Sequence, residues 1–120
     1  MLNFNSSLLS TDQPKVMIEF YAQVFDKKAD WAEGDWAGFQ VGSGFFSVGP
    51  HDKVHGVSKE PARILFNFET TDVSREFDRI QKFGATVVAK PYEMEGMKGM
   101  WIATFADPDG NYFQLMSPMK

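Results

Sequence analysis

The stretch that decides the fold is Phe105-Ala106-Asp107-Pro108-Asp109-Gly110-Asn111-Tyr112-Phe113-Gln114-Leu115. An opening aspartate, a proline at the second position and a glycine at the fourth are typical of a type I turn. Strand-like residues lie on both sides of this turn, which therefore joins predicted strands at 101–105 and 112–116.

The rest of the chain contains an internal repeat. Thr11-Asp12 and Thr71-Asp72 lie 60 residues apart, and each pair is followed by apolar residues at helical spacing. Each aspartate is a candidate N-cap, because its side chain can accept from the free amides of the first helical turn. Pro14 fits the start of the first helix, and Gly84 fits a left-handed C-cap of the second.

Strand-like segments surround both predicted helices. One precedes each helix, at 2–9 and 63–69, and shorter ones follow, at 39–41 and 45–48 after the first helix and at 86–89, 101–105 and 112–116 after the second. The order is βαβββ twice, which predicts an α+β fold. We expect one domain, 1–120, with module one at about 1–50, a linker at 51–61 and module two at about 62–120.

Composition excludes several classes of protein. The chain has 120 residues, 43% of them hydrophobic, and a length of this order buries about two thirds of the unfolded surface. The absence of cysteine excludes disulfides and thiolate chemistry. A net charge of −4 without a basic block argues against nucleic acid as a partner. No apolar run could span a membrane, and the first residues lack signal-peptide features, so we expect a soluble, cytoplasmic protein.

The residues quoted above resemble the vicinal oxygen chelate superfamily, the glyoxalase, bleomycin-resistance and extradiol-dioxygenase group. The resemblance covers nearly the whole chain and rests on Asp12, the helix ending near Phe20-Tyr21, the polar linker and the Asp107–Asn111 turn with its flanking aromatics. It implies that the two modules form a cup-shaped mixed sheet with the helices on its outer face. It also implies a homodimer, which family members of this size usually form.

In the metalloenzymes of this superfamily, His or Glu from the first and last strand of each module holds a divalent metal. Carried over residue by residue, with an uncertainty of one residue at Phe46 and Leu65, the four positions fall on Asn5, Phe46, Leu65 and Gln114. Two of these cannot coordinate a metal, and the other two are weak neutral ligands. We therefore predict no metal and no cofactor, which disfavours the metal-dependent reactions of the superfamily.

The two histidines offer an alternative metal site. His51 and His55 are four residues apart, a spacing that allows a shared metal on a helix. The neighbouring Pro50 and Gly56 indicate a loop, and Lys53 adds an opposing charge. A solvated linker is the preferred interpretation.

Strand alternation predicts which side chains line the cup. Asn5 and Ser7 would share a face on the first strand, and Leu65 and Asn67 on its repeat mate. The Gly- and Met-rich segment 93–100 suggests an adaptable flap. The predicted ligand-binding residues are Asn5, Ser7, Phe46, Leu65, Asn67, Trp101, Tyr112 and Gln114. The alternative is that the polar residues among them face solvent in an empty cup.

The preferred functional hypothesis is a metal-free small-molecule binding protein of the bleomycin-resistance type, associated with antibiotic resistance. It would sequester a flat apolar or cationic ligand, since Trp31 and Trp36 lie among acidic residues. Two alternatives stay open. One is a metal-independent enzyme, lyase- or isomerase-like, in which Glu69, Glu93, Tyr112 or Arg63 does acid–base work, although no convincing dyad assigns catalytic residues. The other is a dimeric scaffold or regulatory module.

Overall fold

The computed structural model describes residues 1–119 and confirms an α+β fold of two βαβββ modules. The first module contains β1 (Ser6–Thr11), α1 (Pro14–Phe25), β2 (Trp31–Glu33), β3 (Trp36–Val41) and β4 (Gly44–Pro50). The second contains a 3-10 turn (Pro61–Arg63), β5 (Phe66–Glu69), α2 (Val73–Lys82), β6 (Thr86–Glu93), β7 (Trp101–Ala106) and β8 (Tyr112–Met116). The chain divides into two compact units between Gly56 and Val57, inside the segment expected to be a linker.

Several boundaries differ from those predicted by the sequence. β1 begins at Ser6 rather than at residue 2, and Leu2 and Phe4 are exposed. β5 begins at Phe66, because the chain before it forms the 3-10 turn. β2 had no hydrophobic signal, since all three of its residues are exposed and it exists through its pairing with β3.

The two sheets have the same strand order. The first is β1-β4-β3-β2 and the second is β5-β8-β7-β6. In each, the first strand of the module pairs in parallel with the last strand, and the remaining pairs are antiparallel. Each helix therefore crosses from one edge strand of its sheet to the other, from β1 to β2 and from β5 to β6, and it covers one face of that sheet.

Aromatic contacts hold each helix on its sheet. In the first module, the ring of Tyr21 lies 4.8 Å from that of Phe46, and the ring of Phe25 lies 5.3 Å from that of Phe39. In the second, Phe77 stacks on Phe105 with centroids 5.0 Å apart. Tyr21, Phe39 and Phe105 are fully buried, so these rings form the two hydrophobic cores.

The helix starts bear out one predicted cap and contradict the other. Asp72 is the N-cap of α2, and its Oδ1 accepts from the amide of Arg75 at 3.1 Å. The N-cap of α1 is Gln13, which makes no capping bond with its side chain. The prediction for Asp12 is therefore wrong: its Oδ2 accepts from the amide of Gly56 at 2.8 Å and ties the middle of the linker to the first module.

The predicted turns are present. Pro14 lies in the first turn of α1, and Gly84 follows α2 with a φ of 95°, where a side chain would be strained. The amide of Gly110 donates to the carbonyl of Asp107 at 2.8 Å, which closes the predicted turn between β7 and β8. Within residues 1–119, no helix is long and apolar enough to cross a membrane.

Candidate functional site: the helix-free face of each sheet

Each sheet has one face that carries the module's helix and a second that we call the helix-free face. Residues paired directly across neighbouring strands point to the same face. In the first module Ser7 pairs with Phe46, and Phe46 pairs with Phe39, on the side of α1. The prediction that Ser7 and Phe46 lie on the open side is therefore wrong. Phe46 is only 3% exposed and packs against Tyr21, and Asn5 lies exposed before β1.

A shift of one residue explains this error. The Oγ1 of Thr11 accepts from the amide of Gln13 at 3.0 Å, and the Oγ1 of Thr70 accepts from the amide of Asp72 at 3.2 Å. Because the two turns are equivalent, Thr11 corresponds to Thr70, and the offset between equivalent positions of the two modules is 59 residues. The two Thr-Asp pairs in the sequence predicted an offset of 60. Because side chains alternate along a strand, one residue moves every predicted side chain of β1 to the other face.

The helix-free face of the first module is aromatic. Trp31, Trp36 and Phe45 lie on it, and we call these three residues the aromatic surface. An added Cβ at Gly49 would overlap the six-membered ring of Trp36, and one at Gly38 would lie 2.6 Å from Cε2 of Phe45. The two rings therefore lie directly over glycine backbone. Trp31 is 49% exposed and Trp36 38% exposed, so the indoles are accessible.

One unpaired carboxylate accompanies the aromatic surface. Glu33 is exposed and pairs across the hairpin with Trp36, so it points to the same face. No ion pair involves it within residues 1–119. Asp30, by contrast, bonds Lys27 at 2.7 Å and the amide of Gln40 at 2.7 Å. The bond from Lys27 holds the pKa of Asp30 below its usual value.

The helix-free face of the second module is polar at its centre. Asn67 pairs with Gln114, and Gln114 pairs with Thr104, so the three side chains run in a row across β5, β8 and β7. Nε2 of Gln114 donates to Oγ1 of Thr104 at 3.1 Å. Leu65 and Tyr112 lie on the same face by alternation. Four of the eight predicted ligand-binding residues therefore share this face: Leu65, Asn67, Tyr112 and Gln114.

The structure does not bring Trp101 to that face. Its amide donates to Oγ of Ser117 at 2.9 Å, and alternation along β7 groups it with Ala103 and the buried Phe105 on the helix side. The neighbouring loop is a bonded turn: Glu93 accepts from the amide of Gly99 at 2.7 Å, and the amide of Met94 donates to the carbonyl of Met100 at 2.8 Å. Met100 is buried, so it fills the core.

The residues at the superfamily's ligand positions do not fit a divalent metal. The offset of 59 moves the position on β1 from Asn5 to Ser6, and the pairing of β4 and β8 with their first strands moves Phe46 to Ser47. Ser47 donates its hydroxyl to the carbonyl of Ser7 at 3.0 Å. The four positions are therefore occupied by Ser6, Ser47, Leu65 and Gln114. None of these residues is a histidine or a carboxylate, the ligands that such metals require. Among residues 1–119, no three His, Cys, Asp or Glu side chains group where they could hold a metal.

Other candidates for acid–base work or metal binding are engaged locally. Arg63 pairs with Glu60 at 2.8 Å in the 3-10 turn. Nδ1 of His51 accepts from the amide of Lys53 at 3.1 Å, inside a linker turn, as expected of a loop histidine. Of the four acid–base candidates predicted above, Glu69 and Tyr112 lie on the helix-free face of the second module.

Comparison with known proteins identifies the family. A model of the glyoxalase-like domain matches residues 6–116. The chain belongs to the glyoxalase-like domain family. This confirms the resemblance to the vicinal oxygen chelate superfamily. No curated protein matches the sequence.

Solved structures of glyoxalase-like proteins have the same fold. A glyoxalase-related enzyme from Fulvimarina pelagi is 13% identical, with a TM-score of 0.78 over 98% of this chain and 89% of that one. A glyoxalase/bleomycin resistance protein/dioxygenase family enzyme from Burkholderia phytofirmans is 19% identical, with a TM-score of 0.77 over 98% and 100%. The fosfomycin resistance protein FosX from Mesorhizobium loti is 20% identical, with a TM-score of 0.69 over 99% and 95%. At these identities the likeness concerns the fold.

Sequence reasoning missed the position of the aromatic surface. The sequence connects Trp31 and Trp36 with a flat or cationic ligand through their acidic neighbours, but it does not place them on the helix-free face beside Phe45. A usable signal was present: glycines inside strands often mark a close approach of another group, and Gly38 and Gly49 lie beneath rings.

Proposed function

We propose that this glyoxalase-like protein binds a flat apolar or cationic small molecule without a metal and without altering it. The observation that carries the proposal is the aromatic surface of the first module, in which the rings of Trp36 and Phe45 lie against the backbone of glycines. A planar ligand stacks on such rings, and a cation over an indole gains further electrostatic attraction. Glu33, beside Trp36, supplies a counter-charge.

The donor set supports the metal-free part of the proposal. The positions Ser6, Ser47, Leu65 and Gln114 offer no charged ligand, and the hydroxyl of Ser47 is already bonded to the backbone. We expect elemental analysis of tag-free protein to find well below one equivalent of Ni, Zn, Mn, Co or Fe. Near-stoichiometric metal that survives dialysis would contradict this part.

The test of binding uses proflavine, a planar cationic acridine. We expect titration to quench indole fluorescence with a saturable isotherm, and mass spectrometry to recover the dye unchanged after long incubation. Glu33→Gln should weaken binding about two- to fivefold, the range of an exposed ion pair, with Glu19→Gln on α1 as control. Absence of quenching would contradict the proposal, and recovery of a modified dye would favour the alternative of a metal-independent enzyme.

The predicted homodimer and a role in antibiotic resistance belong to the same proposal. Closed two-fold pairing is the commonest way for a small chain to associate. Light scattering at micromolar concentration should give about twice the chain mass of 13.6 kDa. A monomer mass would contradict the dimer and leave the binding proposal in place.

A further inference from the structure

We propose that the second module has a binding site of its own for a neutral group that presents a hydrogen-bond donor beside an acceptor, as in a lactam or an aminated nitrogen heterocycle. The site is the amide row, Asn67, Gln114 and Thr104, on the helix-free face. The inference does not rest on the aromatic surface of the first module. It follows from a half-buried amide, Gln114, that a buried hydroxyl holds in place beside the exposed amide of Asn67 on the paired strand.

The amide row is anchored at one end and available at the other. Thr104 is 6% exposed and holds Nε2 of Gln114 at 3.1 Å. Gln114 is half-buried, and its amide retains hydrogen-bonding capacity beyond that one bond. Asn67 is exposed, and its side chain makes no hydrogen bond within residues 1–119. Thr104 therefore acts as a positioning residue for Gln114, and Asn67 keeps two donors and one acceptor for a ligand.

The chemistry of a carboxamide selects the ligand class. An Asn or Gln side chain offers a donor and an acceptor about as far apart as those on the edge of an adenine or a lactam, and it binds such an edge with two parallel hydrogen bonds. Two neighbouring amides on paired strands can therefore recognise a neutral edge, whereas a divalent cation would find only weak ligands.

Apolar neighbours give the row a suitable setting. On one side of the row lie Leu65, just before β5, and Tyr112, on β8. On the other side, Ile102 pairs with Met116 on the same face. A few polar groups among apolar ones are typical of small-molecule sites, where apolar contact contributes affinity and hydrogen bonds fix orientation.

The test uses 9-methyladenine, here called adenine, and its N6,N6-dimethyl derivative, here called dimethyladenine, which has no hydrogen-bond donor. We expect adenine to shift the side-chain amide resonances of Asn67 and Gln114 in a nitrogen–proton NMR titration, and dimethyladenine to bind at least about tenfold more weakly. Asn67→Leu should cause a similar loss, whereas Glu69→Gln, on the same strand and face, should leave adenine affinity within about twofold. This comparison of two probes on the unaltered protein needs no variant to fold.

The positioning role has its own readout. Thr104→Val should move the Gln114 amide resonance in the free protein and weaken adenine binding, and Thr104→Ser should restore both. The proposal is overturned if adenine shifts neither amide, if dimethyladenine binds equally well, or if Asn67→Leu binds as tightly as the parent. If adenine moves only the indole resonances of Trp31 and Trp36, the amide row is not a site and the proposed function of the first module stands.

Discussion

The helix-free faces of the two modules share a strand order and a register and differ in chemistry. In the first module Leu8 pairs with Ser47, and beside them lie the rings of the aromatic surface. At the corresponding place in the second module, Asn67 pairs with Gln114, and the row ends at Thr104. The topology therefore fixes where a side chain points, and the individual residues decide whether the face stacks flat rings or forms hydrogen bonds.

The largest predicted effect tests the assignment of faces in the first module. Phe46→Ala should lower the free energy of unfolding by about 3–5 kcal/mol, because its buried ring fills the space under α1. Phe45→Ala, one residue earlier and on the helix-free face, should cost less than about 1.5 kcal/mol. Urea denaturation measures both. If Phe45→Ala lowers the free energy of unfolding as much as Phe46→Ala or more, Phe46 lies on the open face, as the Thr-Asp repeat suggested.

The second prediction tests the packing of the aromatic surface. Gly49→Ala should destabilise the protein by about 1–3 kcal/mol, because the new methyl group overlaps the Trp36 ring. Gly44→Ala on the same strand is the control. Its Cβ would lie 3.7 Å from the nearest atom, so the change should stay within about 0.5 kcal/mol. If thermal denaturation finds the two variants alike, Trp36 does not rest on Gly49.

The third prediction concerns the helix starts, where the modules also differ. Asp72→Ala should cost about 1 kcal/mol, because the amide of Arg75 loses its acceptor. Asp72→Asn keeps an acceptor and should be close to the parent. Chemical denaturation of the three proteins decides this, and an equal loss in both variants would mean that charge rather than the cap is responsible.

The smallest effect is the pH dependence of the hairpin that carries Trp31. The pKa of Asp30 is lowered from 3.8 in the folded protein, chiefly by the bond from Lys27. The stabilisation is therefore fully present above the unfolded value and is lost as the pH falls through the folded value. The difference in stability between the parent and Asp30→Asn should be constant above about pH 5 and shrink below it. A difference that does not change with pH would remove the role of the Asp30 charge.

The sequence predicted the fold well because turn chemistry and helical periodicity are local. Gly110 and Gly84 adopt the backbone that their positions required, and Asp72 caps α2 as predicted. Strand alternation correctly grouped Leu65, Asn67, Tyr112 and Gln114 on one face in the second module, whereas it misplaced Ser7 and Phe46 in the first. β2 escaped prediction because a three-residue exposed strand has no hydrophobic pattern.

The error in the first module has a physical origin in the period of two along a strand. Asp12 resembles Asp72 in sequence, but the chain places Gln13 at the N-cap and uses Asp12 to bind the amide of Gly56. The likeness of Thr11-Asp12 to Thr71-Asp72 could not reveal this difference, because the bond of Asp12 to Gly56 connects residues 44 positions apart. One residue of register then exchanged the two faces of β1, so Ser7 was predicted on the wrong side.

The most direct test of the proposed function compares two tryptophans of similar exposure, Trp36 at 38% and Trp101 at 41%. Proflavine is titrated against Trp36→Ala and Trp101→Ala, and the affinities are measured by dye anisotropy. Loss of the stacking ring should weaken binding by on the order of 30- to 150-fold in Trp36→Ala, while Trp101→Ala binds like the parent. A loss confined to Trp101→Ala, or none in either variant, would contradict the assignment of the ligand to the aromatic surface.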